Sequence, residues 1–462
     1  MQRSKITKYA GTVTIFIFIL IVLFSNADQN LISPNLNPIL VDFGFGIEDA
    51  TPIGYITSVA TILSAISMVV FGLSADKYSR KWICFGGSLA YCTFSVITYF
   101  TPSGPAGYTF FFITRAMNGF AIGCVVPTIF SLLGDLVKPA DRSKVLSWFS
   151  VAGLLGQGIG LALASGIYAA TGSWRLPFLI IASCNIVCTL LIPVVKEPVR
   201  GSTEAFIADL VAQGHVYSYT IRKGDLRAIV ERRSNLWLVI NFVDTIPAAI
   251  ILFLMFRYMS LVHNVGQVST FIVLIAVLVG GIAGNIVFGA LADRSFKRGN
   301  KKARVNYAFW GNILPIPFAI AAFLVPFQAP DGATIGDLFL IPGLVWMIVA
   351  LTIALFLNGA VGPNWYSTLM DVNLPEHRGT MVASANLFDL IGKSLAPLFA
   401  ALFDKLWGTE YGILSAALFW VVLPLFWIEV LRHVEGDMDF VKKTLQERGQ
   451  IMAAEDLETE KS

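Results

Sequence analysis

The chain has 462 residues, of which 56% are apolar and 14% charged, and its formal net charge is +3. A soluble protein of this size carries about a quarter charged residues. With a mean hydropathy of +0.71, a water-soluble globular protein is excluded. The small positive charge does not indicate a nucleic-acid binder, because most Lys and Arg sit in loops between long apolar runs.

A bilayer-crossing helix needs roughly 20 apolar residues. Twelve such runs are predicted, centred near residues 20, 62, 91, 122, 157, 184, 247, 278, 314, 352, 391 and 421. The first follows a basic start and leads into Asp28-Gln29-Asn30 without a small-residue cleavage site, so it reads as a span and not a leader. On this layout 28 of the 33 Lys and Arg fall on one side. Basic loops stay cytoplasmic, which predicts a multi-pass membrane protein, in the cell membrane, with both termini cytoplasmic. The domains expected are a six-helix bundle at 1–195, a cytoplasmic linker at 196–235, a second six-helix bundle at 236–434 and a charged cytoplasmic tail at 435–462. The five cysteines lack metal-ligand spacing and read as small packing residues.

The two halves repeat a motif. Gly72-Leu73-Ser74-Ala75-Asp76-Lys77-Tyr78-Ser79-Arg80-Lys81 returns 217 residues later as Gly289-Ala290-Leu291-Ala292-Asp293-Arg294-Ser295-Phe296-Lys297-Arg298. A second pair, Asp135-x-x-x-Pro139-x-x-Arg142 and Asp371-x-x-x-Pro375-x-x-Arg378, repeats at an offset of 236. A duplicated membrane unit is the architecture of a transporter with one site between two halves. Arg80 and Lys81 are expected to pair with Asp135, with Arg142 joining them. Asp293, Arg294, Arg298, Asp371 and Arg378 form the matching cluster, and Gly72 and Gly289 are expected to let helices approach closely. Together these twelve residues, Asp76 included, are the expected cytoplasmic gate.

An ionisable group at membrane depth costs at least about 2.5–3.5 kcal/mol and is a functional candidate. Asp28 in span 1, Arg115 in span 4, Asp244 in span 7, and Asp389 and Lys393 one turn apart in span 11 stand out. Asp28 is the leading carboxylate for proton coupling or substrate pairing, with Arg115 as its counter-charge. Arg257 reads as an anchor at the outer interface. There is no phosphate-binding glycine loop, metal cluster or nucleophile elbow, so no enzyme and no cofactor are expected.

The Gly72-Leu73-x-x-Asp76-x-x-x-Arg80-Lys81 loop, Arg115-x-x-Asn118-Gly119 in span 4 and Trp174-Arg175-x-Pro177-Phe178 before span 6 resemble the major facilitator superfamily over residues 10 to 432. Within it, Asp28, the Asp76–Lys81 loop and Gly134-Asp135 resemble the Spinster-like branch. The glutamate usual there seven residues after the span-4 arginine is Ile122 here. The resemblance implies an all-α fold of two six-helix bundles and a rocker-switch transporter. It is expected to be monomeric and to carry a small organic or amphiphilic solute, coupled to an ion, the proton first. It also implies that Gln157, Asn358 and Asn364 lie at cavity depth, that Asp76 meets the start of span 11, and that the small-residue faces of spans 5 and 8 meet across the halves. A membrane receptor that kept the fold without transporting is the other reading.

Overall fold

The computed structural model describes residues 2–137, 139–198, 232–333 and 335–459, and every regular element among them is helical. Eleven helical stretches are long and apolar enough to cross a membrane. They are span 1 (Gly11–Gln29), span 2 (Thr51–Gly72), span 3 (Arg80–Tyr99), span 4 (Pro105–Leu133), span 5 (Val151–Thr171) and span 6 (Leu176–Val194). Span 7 (Arg233–Leu261), span 8 (Gln267–Lys297), span 10 (Pro342–Asp371), span 11 (Ser384–Trp407) and span 12 (Thr409–Thr444) follow. Span 9 is broken into Ala303–Ile313 and Pro315–Phe323. Pro315 and Pro317 lack backbone N–H groups and interrupt the helical ladder there. With this broken helix the expected twelve are present.

Two further breaks recur at the offset of the second motif. Span 4 breaks at Gly123-Cys124 and span 10 at Gly359-Ala360. Pro127 and Pro363 stand four residues beyond the two glycines, so the carbonyls of Gly123 and Gly359 lose the N–H each would have accepted. Both glycines also allow close crossings. A Cβ on Gly123 would strike the Ser64 carbonyl of span 2, and one on Gly359 the backbone of Gly284 and Asn285 in span 8. At Gly72 and Gly289, where close approach was expected, a Cβ would meet only Pro127 at 3.9 Å and Pro363 at 3.6 Å, an ordinary contact. The tight crossings lie deeper in the spans.

The chain divides into two compact units. The first holds spans 1–6 with Ile250–Ile272 and Lys393–Ile413. The second holds the start of span 7 up to Ala249, Val273–Gly392, and the chain from Leu414 on. In the first unit, span 5 lies on span 1, with Gly156 and Gly160 against the carbonyls of Leu23 and Ala27. An aromatic group of Phe43, Tyr108, Phe111, Trp174 and Phe178 packs largely edge to face at the end opposite the basic loops, a preferred arrangement for aromatic quadrupoles. In the second unit, Gly280 and Gly284 of span 8 lie against Thr352 and Phe356 of span 10. Each small-residue face therefore serves packing inside its own unit.

Span 12 does not stop at the membrane. Its helix runs from Thr409 to Thr459, through the predicted tail. Val434 and Val441 are buried on it, Asp437 accepts a 3.0 Å bond from the Ser234 backbone N–H, and Arg232 stacks 5.3 Å from the Phe440 ring. The tail thus ties down the chain entering span 7. Of the predicted linker, residues 199–231 lie outside the described residues.

Candidate functional site

Asp28 ends span 1 in the interior of the first unit, 1% exposed. The Nη2 of Arg115 donates to its Oδ2 at 2.8 Å, and the Ser95 hydroxyl of span 3 donates to Oδ1. Arg115 is itself 3% exposed. It also donates to the Asn118 Oδ1 one turn away, and its guanidinium lies 5.0 Å from the Phe178 ring. Asn118 donates to the Tyr91 carbonyl at 3.0 Å, so its amide is fixed before it meets the arginine. The Tyr91 hydroxyl and Asn185 amide both bond Ser25, one turn before Asp28. Spans 1, 3, 4 and 6 thus contribute to one polar network in an apolar surround. Arg115 Nη1 is buried without a hydrogen-bond partner. That donor is spare, and an uncompensated donor in low dielectric is costly. The sequence-predicted pair is therefore brought together.

Other intramembrane candidates are placed differently. Asp244 lies half-buried in a 3-10 turn, Asn241–Asp244, that interrupts span 7, and it accepts from the Asn241 amide at 3.1 Å. Asp389 is half-buried and its carbonyl accepts from Thr245 at 3.3 Å, while Lys393 is exposed. Gln157 is half-buried in span 5. Asn358 donates to the Gly311 carbonyl of span 9 at 3.4 Å. Asn364 is 2% exposed and donates to the Ala360 carbonyl at the start of its own helix segment at 2.7 Å.

The reading of Arg257 as an interfacial anchor is overturned. Arg257 is 2% exposed, as is Asp404 of span 11. Its Nη2 lies 3.0 Å from Asp404 Oδ2, its Nε bonds both carboxylate oxygens at 3.2 Å, and its Nη1 donates to Asn37 Oδ1 at 2.8 Å. Nearby, within the same unit, the Ser33 hydroxyl donates to the Leu252 carbonyl, and Lys405 donates to Asp49 at 2.8 Å. These bonds join residues 33–49 to residues from spans 7 and 11. Two ionisable groups at membrane depth were the available signal, but 147 residues separate them and the sequence gives no partner for either.

At the opposite, basic-loop end, Arg80 and not Lys81 holds Asp135. Lys81 turns to the Pro193 carbonyl at 3.1 Å and lies 5.0 Å from the Trp82 ring. Glu197, unremarked in the sequence, completes the cluster. It accepts from the Arg80 backbone N–H at 2.9 Å and from Ser79, so a carboxylate sits at the positive N-terminus of span 3. Burial pushes the Glu197 carboxyl up, but the bonds from Ser79 and Arg80 outweigh it and hold it below its usual 4.5. A depressed folded-state pKa contributes stability above pH 4.5 that is lost as the pH falls through the lower folded value. Glu197→Gln is expected to lower stability at pH 7 by about 0.5–1 kcal/mol, discounted for solvent access, and to flatten the melting-temperature decline as the pH falls below 4.5. Thermal melts of both proteins across that range check it.

In the second unit the matching cation is Arg304, not Arg294 or Arg298, which are exposed. Arg304 bonds Asp293 at 2.7 Å, pairs with Asp371, and lies 4.2 Å from the Phe296 ring. Arg304 starts span 9 as Arg80 starts span 3, and the two are 224 residues apart, seven more than the motif offset, because the second loop is longer. The side chains of Asp76, Arg142 and Arg378 lie outside the described residues.

The Major Facilitator Superfamily model matches residues 18–372. The chain belongs to this superfamily. Among curated relatives it is similar to protein spinster of Drosophila melanogaster, 29% identical over 226 residues, 48% of this chain and 34% of that protein. It is also similar to human protein spinster homolog 1, 29% identical over 35% of this chain and 30% of that protein. The matches thus span about a third of those relatives' length. Among solved structures, a bacterial homolog of the human lysosomal transporter Spinster, inward-facing and unoccupied, superposes with a TM-score of 0.71 at 15% identity, covering 93% of this chain and 98% of that one. The xylose transporter XylE from E. coli, inward open, gives 0.64 at 16% identity, with 93% and 99% covered. The superfamily fold, two six-helix bundles, is thereby established for this multi-pass membrane chain.

Proposed function

We propose that this transporter moves a small organic or amphiphilic solute by rocker-switch alternating access, with proton coupling at Asp28. The observation that carries the reading is the Asp28–Arg115 pair, fully buried yet held by only one arginine nitrogen, while Nη1 has no acceptor. Arg115 is the carboxylate's buried counter-charge, so a loss of either charge must be met by a new partner for the one left behind. Linking a charge change to such an exchange is what coupling needs. Lys393, exposed on span 11, offers a cation to an anionic substrate group.

In this reading the Arg257–Asp404–Asn37 bonds shut the outer exit, and the Arg80–Asp135–Glu197 and Arg304–Asp293–Asp371 clusters shape the cytoplasmic gate. Asp244 and Asp389 belong to the second half's share of the coupling machinery, and Gln157 and Asn358 to the polar lining. The test is flux in proteoliposomes of the purified protein. Lysophospholipids and small organic anions are first screened by thermal shift, and stabilising compounds are then followed with and without an imposed pH gradient. Accelerated uptake under the gradient supports the reading, and equal uptake with and without it contradicts proton coupling.

A further inference from the structure

The second unit carries a slot of about 250 Å³, apart from the Asp28–Arg115 pair of the first unit. Its walls come from three spans: Phe288 of span 8, Asn306, Trp310 and Leu314 of span 9, and Leu357 and Ala360 of span 10. Asn306, Trp310 and Leu314 follow one another at four-residue spacing on one face of span 9. At 1.5 Å per residue they cover about 12 Å from the basic-loop end inward. Trp310 and Leu314 are both exposed, on a helix whose surroundings are hydrocarbon, so the slot opens to lipid.

The charges at the basic-loop end of spans 8 and 9 are unevenly committed. Six basic residues lie between 294 and 304. Arg304 is held by Asp293 and Asp371, Lys301 by Asp439, and Lys302 by Glu435. Arg294, Lys297 and Arg298 are exposed and form no ion pair with any described residue. They close span 8 at the end where span 9 begins with the slot's entrance. An apolar slot opening to lipid, at the side of the membrane where three uncommitted cations close span 8, matches one kind of molecule: a membrane lipid with an anionic head. Basic pockets between helices at a membrane surface bind such heads.

We propose that this slot holds one acyl chain of an anionic phospholipid from the surrounding bilayer, with its phosphate over Arg294, Lys297 and Arg298. The chain end would lie beside Leu357 and Ala360, which flank the break in span 10, so the lipid would prop that bend. The proposal rests on the membrane placement alone and not on proton coupling or the substrate.

The test is native mass spectrometry of the full chain released from nanodiscs of equal dioleoyl phosphatidylglycerol and dioleoyl phosphatidylcholine. The wild type is expected to retain phosphatidylglycerol about tenfold over phosphatidylcholine. Neutralising Arg294→Gln, Lys297→Gln and Arg298→Gln together should bring the ratio near one, with the melting temperature unchanged. Leu314→Trp, which fills the slot from its lipid side, should cut retained phosphatidylglycerol severalfold while the three cations remain. A wild type without headgroup preference, a preference that survives the triple change, or undiminished retention in Leu314→Trp would overturn the proposal.

Discussion

Arg257→Ala is expected to destabilise the protein more than any other single change at the end opposite the basic loops. Both partners of the pair are 2% exposed, and removing the arginine leaves the Asp404 carboxylate buried among apolar groups with Asn37 also losing its donor. Breaking a buried ion pair from one side costs about 3–5 kcal/mol. The double change Arg257→Met with Asp404→Leu removes both charges, and replacing a buried pair by apolar groups of similar volume is close to neutral. Thermal melts in detergent should therefore show a fall of several degrees for Arg257→Ala and recovery of most of it in the double variant. If the single variant melts with the wild type, the pair is not the clasp its geometry indicates.

Arg115→Ala is the second large effect. It leaves Asp28 with the Ser95 hydroxyl but no cation, and strands the Asn118 carbonyl oxygen. The expected loss is again about 3–5 kcal/mol, with the 5.0 Å contact to Phe178 adding up to about 2 kcal/mol in a desolvated site. Adding Asp28→Asn to Arg115→Ala removes the stranded carboxylate, so the double variant is expected to be more stable than Arg115→Ala alone. The double-mutant cycle, read by thermal melts, gives the coupling energy directly. Additive single effects would contradict a coupled pair.

The features legible in the sequence were those with a local signature. Span lengths, the repeated loop motif and the Asp135–Asp371 repeat follow from composition and spacing, and they located the units' polar clusters. Asp28 and Arg115 were legible because a charge at membrane depth needs a reason, and the structure supplies it. What escaped was long-range choice among similar residues. Arg80 and Lys81 are adjacent, and only helix geometry makes Arg80 the one that reaches Asp135. In the second half the motif pointed to Arg298, but the cation that matters is fixed by where span 9 begins, seven residues beyond the motif's register. Glu197 escaped because it lies just beyond span 6, yet it caps a helix 117 residues earlier in the chain.

The account stands on a proton moving through Asp28 as the transporter turns over. The direct measurement is substrate-driven pH change inside proteoliposomes, wild type against Asp28→Asn, using a compound that stabilises both proteins in the thermal-shift screen. The account predicts that the wild type moves protons with the solute and that Asp28→Asn binds the solute but moves no protons. Undiminished proton movement in Asp28→Asn would contradict it.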